Sequence, residues 1–437
     1  MPPVLRPVFV LCAGSMLSAP AAGGQPVPGS PGTVVSDYVC ASDAGASTPA
    51  IERLRSAVDA GQEETARALV RCLSEAETPV VEPTADGGRY RVTFPYVADP
   101  ATRSVRLDSN VVAARSDYDG EGDGFDALGR MDRVDGTHLW IVSMELPGAL
   151  RAPYRFEVQP AAGDPALILD PRNPRVYEDH WTANFRKSEL ALPGAPAQPW
   201  RARGKRHGEW TIEEVAGREV AVYLPRGATQ EPGPVIVALG KMTFYNILPT
   251  ARLVDHLVEE GEIAPPIVVT FDMDGRAEES RYRGEAAFVA DTLLPWARSR
   301  WPVSADPEDV IVTGTSRRGL AATIAALERP DAIGRALSLS GSFYWRPEGD
   351  AEFEWLARRV AGEPRRDVRL YLTAGTLETA ITPTNEGHAL LATNRHLRDV
   401  LTAKGYDIVY REFVGVHDEM NWQSALADGL RALIPAP

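Results

Sequence analysis

The chain has 437 residues, 46 of them basic and 60 acidic, for a formal net charge of −14. Hydrophobic residues make up 44% and charged residues 24%, values that exclude a disordered chain, a collagen and a disulfide-dense miniprotein. The length calls for two or three domains. The acidic balance argues against nucleic acid or an anionic membrane surface as the main partner.

Residues 1–24 read as a secretory signal peptide. Arg6 precedes the apolar run Val8–Ala13, and small residues around Ala19 to Ala22 offer a cleavage site. The run is too short, and too broken by Gly14 and Pro20, to span a membrane. Bulky Leu11 before Cys12 makes a poor lipidation site. The expectation is therefore a soluble product, periplasmic or secreted, that is not an integral membrane protein once the leader is cut. Cys40 and Cys72 then remain, and an oxidising compartment permits a disulfide between them; two buried thiols are the alternative.

Residues 36–80 predict a helical hairpin. Ser47-Thr48-Pro49 opens a helix with Ile51, Leu54 and Val58 on its apolar side, and Gly61 ends it. A second helix from Glu63 buries Leu69, Val70 and Leu73. From Arg89 the period drops to two: Tyr90, Val92 and Phe94, then Val105 and Leu107, then Trp140, Val142 and Met144 alternate with polar neighbours. Short alternating strands without a long helix predict a β-sandwich over 85–195. The Pro-rich stretch Pro193–Pro199 reads as a linker.

Over 208–437 apolar strands alternate with helices, which predicts a mostly parallel sheet with helices on both faces. Within it, the strand Val310–Thr313 meets Gly314-Thr315-Ser316-Arg317-Arg318-Gly319, and a helix over Leu320–Leu327 follows at once. Strand, Gly-x-Ser turn and helix form the context of a nucleophile elbow, which predicts an α/β hydrolase with Ser316 as nucleophile; an ordinary loop is the alternative. Arg318 stands where an elbow normally has its second glycine. The base should follow the last strand, as His417 does after Ile408–Phe413. His388 is the rival in chain order. The acid should follow the penultimate strand, where Glu378 ends Ala374-Gly375-Thr376-Leu377-Glu378. A Ser–His dyad without the acid is the alternative.

These residues resemble the enterochelin (enterobactin) esterases, in which an immunoglobulin-like domain precedes an esterase-D-type α/β hydrolase. The likeness is carried by Met131–Trp140, Tyr154-Arg155-Phe156 and Asp170–Pro174 in the first part. In the second it is carried by Leu293–Trp296, Ser340–Trp345, Gly375 with Glu378, Asn394, and Gly415–Asp418 with Trp422. The resemblance implies Ser316, His417 and Glu378 as the catalytic set. It implies oxyanion donors at the backbone N–H of Arg317 and in the loop at Gly240-Lys241. It further implies a substrate contact from Arg281 or Arg283 and sets Trp345 in a substrate-side segment; Arg318 would add to a cationic patch, since arginine offers planar paired donors and stacks on aromatic rings, and solvated or salt-bridged arginines are the alternative. The implied substrate is a catecholate siderophore trilactone, a small-molecule ester opened for iron release. Three departures lie near this chemistry: Arg318, Leu239-Gly240 in place of Asp-Gly, and Val416 in place of a glycine before the histidine. A feruloyl- or acetyl-type carbohydrate esterase is the first alternative. A non-catalytic binding protein with a degenerate esterase domain is the second.

Asp117–Gly122 matches the start of a calcium loop, but Leu128 occupies the twelfth position, so a polar turn is the reading. No metal or organic cofactor is called for by any motif.

Overall fold

Alternating apolar side chains over residues 89–97 and 139–147 become two long strands paired antiparallel across their full length. They lie in a computed structural model that describes residues 49–85, 87–114, 128–177, 186–202, 208–226, 231–273, 279–379 and 387–437. The described residues all fall within one compact unit, Thr33–Pro437. The leader, Cys40, the calcium-like loop and the side chain of Arg281 lie outside them.

Ala50–Asp59 (α1) and Glu63–Glu75 (α2) form the predicted hairpin. Gly61 takes φ +66° at its turn, a left-handed conformation that glycine adopts without a Cβ clash. The start of α1 is held by Glu82, whose carboxylate oxygens accept from the Ala50 N–H at 2.9 and 3.1 Å. Val58, expected on the apolar side, is exposed. The helical turn carries Ala57 inward instead and the next residue outward. Leu69 and Leu73 are buried, and Val70 is half-buried. Cys72 is disulfide-bonded.

Nine strands follow: Val80–Pro83 (β1), Arg89–Val97 (β2), Ser104–Asp108 (β3), Asp132–Arg133 (β4), Leu139–Pro147 (β5), Arg151–Gln159 (β6), Ala166–Ile168 (β7), Val176–Tyr177 (β8) and Lys187–Ala191 (β9). They make two antiparallel sheets, β1-β2-β5-β4 and β3-β6-β9-β8, with β7 beside β6. Phe94 and Val142 from the first share a buried core with Leu107, Tyr154 and Phe156 from the second.

The remaining strands are Glu209–Val215 (β10), Arg218–Leu224 (β11), Val235–Leu239 (β12), Ile267–Phe271 (β13), Val310–Thr315 (β14), Arg335–Leu339 (β15), Arg369–Gly375 (β16) and Asp407–Phe413 (β17). They form one sheet in the order β10-β11-β13-β12-β14-β15-β16-β17. The first two strands run antiparallel and the rest parallel. β12, β13 and β14 are buried at every residue, as strands covered on both faces must be. The helices are Thr250–Glu259 (α3), Glu279–Ala287 (α4), Leu294–Arg298 (α5), Arg317–Glu328 (α6), Trp355–Gly362 (α7), Leu390–Ala403 (α8) and Glu419–Leu433 (α9). Ile236 and Ile311 face α3 and α9 in one core cluster, while Val237 and Val312 face α6 in another. Successive residues thus serve opposite faces.

Two local features depart from the sequence reading. β10 has no apolar run to announce it; it pairs with β11 through a tight turn at Ala216 (φ +50°) and Gly217 (φ +79°), the left-handed geometry that suits a two-residue hairpin. The helical segment Glu279–Arg298, which the alternation of strands and helices leaves without bounds, widens into a π-helical turn at Phe288–Leu293. Pro295, in the first turn of α5, has no N–H to give to a preceding carbonyl, and a register change just before it removes that demand.

Candidate active site

Ser316 occupies the single residue between β14 and α6, with φ 55° and ψ −122°. A serine in that region is strained, and the surroundings hold it there. Its N–H donates to the Leu339 carbonyl at 2.9 Å, and its own carbonyl accepts from Gly319 at 3.0 Å and Ser342 at 3.1 Å. Two glycines make the turn fit. A Cβ on Gly314 would lie 2.3 Å from the Arg318 carbonyl oxygen, and one on Gly319 would lie 2.6 Å from Ser338 Oγ. The close passage usually made at the second position after the serine is made here one residue later, at Gly319.

The hydroxyl of Ser316 lies 3.3 Å from that of Ser342. It also stands at the N-terminus of α6, where first-turn N–H groups lack intrahelical acceptors and the helix dipole favours negative charge.

β14, β15, β16 and β17 are neighbours and parallel, so residues just past their ends share one edge of the sheet. Past β15 comes Ser340, past β16 Glu378 and past β17 His417. The Glu378 side chain is fully buried, and its Oε1 accepts from Ser340 Oγ at 2.6 Å and from His417 Nδ1 at 3.2 Å. Trp422 Nε1 donates to Ser340 Oγ at 3.0 Å, and the Trp422 ring meets the imidazole edge to face with centroids 4.8 Å apart. The two loops are tied directly, since Leu377 N–H donates to the Gly415 carbonyl at 3.0 Å. Gly415 is required because a Cβ there would lie 2.2 Å from Asn421 Oδ1.

Burial pushes the His417 imidazole toward its neutral form. The Glu378 charge and hydrogen bond, with Glu419 and Asp418 nearby, outweigh it and hold the group above its ordinary value of 6.5.

A buried carboxylate paired with an imidazole thus lies at the same strand-end edge as a strained serine at a helix N-terminus, and these are residue types that nucleophilic ester chemistry can use. Residues 216–433 match the family described as "Putative esterase". The chain is 26% identical to the iron(III) enterobactin esterase of Dickeya dadantii over 417 residues, covering 82% of this chain and 90% of that one. It is 25% identical to the iron(III) salmochelin esterase of Escherichia coli O6:H1 over 416 residues, covering 88% and 97%.

The chain is similar to the enterobactin esterases over most of its length. Its fold matches the crystal structure of the ferric enterobactin esterase from Salmonella typhimurium, with a TM-score of 0.63 at 23% identity over 82% of this chain and 97% of that one. The enterobactin esterase from Shigella flexneri, solved in the presence of enterobactin, gives the same TM-score and identity over 82% and 96%. The chain has the esterase-type α/β-hydrolase fold.

Several residues assigned from the sequence take other places. The Gly240 N–H is committed to the Phe271 carbonyl at 2.8 Å, so it has no proton for an oxyanion. Gly240 instead makes room: at φ +120°, a Cβ would lie 2.6 Å from Arg318 Cδ. Arg318 therefore lies across the loop that follows β12, with Nη2 4.0 Å from Asp272. Asp272 also accepts from the Met242 N–H at 3.2 Å. Lys241 pairs with Glu219. Arg283 pairs with Glu328 at 3.5 Å. Glu328 ends α6 roughly 18 Å along the helix from Ser316, so Arg283 is not brought to the site. Trp345 is a core residue rather than an open contact. It is 6% exposed, with its ring edge-to-face with Tyr282 at 5.0 Å and Trp355 at 5.5 Å. His388, the rival base, stacks on Phe353 at 4.0 Å. Asn394 is buried and donates to the Gly341 carbonyl at 2.8 Å, which supports the segment behind Ser316.

The sequence displays the Ser340-Gly341-Ser342 segment but gives Ser340 and Ser342 no role. Their roles depend on a backbone conformation, φ +51° at Ser340, that no residue pattern displays.

Proposed function

We propose that this chain is an exported serine esterase that hydrolyses the ester bonds of a catecholate siderophore trilactone of the enterobactin type, releasing the bound iron. The observation that carries the reading is the strained Ser316 on the same strand-end edge as the hydrogen-bonded pair of His417 and Glu378. The substrate class comes from the similarity to relatives named as iron(III) enterobactin and salmochelin esterases.

In this reading Ser316 Oγ attacks the ester carbonyl carbon while its proton passes to His417 Nε2. Glu378 accepts from Nδ1, which leaves Nε2 as the base and balances the imidazolium once formed. The carbonyl π pair moves onto oxygen, where the N–H groups of Arg317 and Lys241 receive it. The tetrahedral adduct collapses, the bond to the alcohol oxygen breaks, and His417 returns its proton to that oxygen. Water then attacks the acyl-enzyme by the same route and yields a carboxylate and free Ser316. In the same reading Arg318 meets an anionic or aromatic group of the substrate, supported by its side chain lying over Gly240 in the loop after β12.

We read the two facing N-terminal sheets as an immunoglobulin-like sandwich, supported by their shared core. Export rests on the leader-like residues 1–24 and is supported by the disulfide at Cys72, whose proposed partner is Cys40.

The test is product analysis after incubation with iron-free and ferric trilactone. Linear trimer and shorter fragments are expected from the parent and none from Ser316→Ala. Products that persist in Ser316→Ala, or a trilactone left intact while a simple aryl ester is cleaved, contradict the proposal.

A further inference from the structure

The loop that carries His417 is not held by the hydrolase sheet alone. It spans only the residues between the end of β17 and the start of α9, and loops are the least constrained places to mount a catalytic group. In this chain the N-terminal sheets, with the 3-10 turn Asn110–Ala114 that follows β3, reach it at three successive residues. Val416 is 1% exposed and lies in the core of those sheets, with Val414 and Leu377 packed against the same cluster. His417 accepts at its backbone carbonyl from Asn110 Nδ2 at 2.7 Å. Asp418 accepts at Oδ2 from Lys187 Nζ at 2.9 Å, while its Oδ1 accepts from the Met420 N–H at 2.9 Å and so caps α9. The ion pair is sheltered, with the Asp418 side chain 7% and Lys187 23% exposed, so it is not the freely solvated kind that contributes little.

The sheets thus grip both sides of the pair of His417 and Glu378, since Leu377 precedes the acid and Val416 precedes the base. The valine departure has a physical reason here. Its side chain is an apolar anchor that a glycine could not supply.

We propose that the N-terminal sheets are a positioning element for the catalytic histidine, with Lys187 and Asn110 as positioning residues that act through Asp418 and the His417 carbonyl. The proposal rests on the reading of His417 as the base. The sheets would then be needed for turnover even of an ester too small to touch them.

The experiment uses the full chain and a small aryl ester, with Lys187→Met, Lys187→Arg and Asn110→Ala beside the parent and Ser316→Ala. Two quantities are read: kcat against KM, and the hydrogen-exchange rate of the peptide over residues 414–424. Expected are a fall in kcat of about tenfold or more with KM little changed for Lys187→Met, a smaller fall for Asn110→Ala, and recovery in Lys187→Arg. Faster exchange of the peptide should accompany each fall. Lys187→Met leaves Asp418 without its cation and can fold poorly; Asn110, exposed, carries the test in that case. Unchanged kcat in folded variants overturns the proposal, whether or not exchange quickens. A fall in kcat with exchange unchanged overturns it too. Activity retained by Ser316→Ala sinks the catalytic reading instead, and the exchange rates still decide whether the sheets hold the loop.

Discussion

Glu378 and Ser340 are joined by a 2.6 Å hydrogen bond in which the serine hydroxyl, itself buried and at φ +51°, donates to the same carboxylate oxygen that faces His417. The acid is therefore aimed from two sides. Ser340→Ala leaves Oε1 with the imidazole alone. A hydrogen bond to a charged group contributes about 1.5–3 kcal/mol, so kcat should fall by roughly tenfold to a hundredfold while the chain stays folded. Steady-state kinetics beside a thermal melt checks this.

The raised His417 fixes the sign of the pH dependence. The imidazole must be neutral to take the proton from Ser316, and its neighbours favour the protonated form. Activity should therefore rise with pH through a midpoint above 6.5. In Glu378→Gln the partner charge that raises the group is gone while burial, which lowers it, remains. The acid limb of kcat/KM should move to lower pH even as the plateau drops, by about a thousandfold or more. A limb that stays in place would remove Glu378 from the account.

The elbow tolerates no side chain at Gly314. The clash is with backbone, 2.3 Å from the Arg318 carbonyl, so no rotamer relieves it. Gly314→Ala should lose activity and cost about 3 kcal/mol or more, read as a lower midpoint in urea.

Arg318→Ala should raise KM for an anionic catecholate ester about tenfold, and by less for a neutral aryl ester, because the guanidinium beside the loop is a charge contact rather than part of the proton path. Equal effects on both substrates would assign it to holding the loop after β12.

Non-reducing peptide mapping should recover Cys72 joined to Cys40. A free Cys40 thiol would refute that pairing.

The alternation of strands and helices, the turn at Ser316 and the chain order of Glu378 and His417 were legible because each has a local pattern. Other features had none. β10 presents mostly polar side chains at a sheet edge, and only its pairing with β11 defines it. The resemblance makes Gly240 a donor, but its N–H completes a bond to Phe271 and its missing Cβ admits Arg318, two facts that join residues far apart in sequence. Trp345 reads the same in sequence whether it floors a core or lines a pocket. Val58 and Ala57 differ by one step around a helix, finer than periodicity resolves.

The central claim, that Ser316 is the nucleophile and His417 its base, is tested most directly by mapping the adduct of a reactive aryl phosphonate by mass spectrometry. The account predicts a single adduct on the Ser316 hydroxyl of the parent, with labelling slowed by about a thousandfold in His417→Ala. An adduct on another residue, or labelling of Ser316 at the same rate without the imidazole, would contradict it.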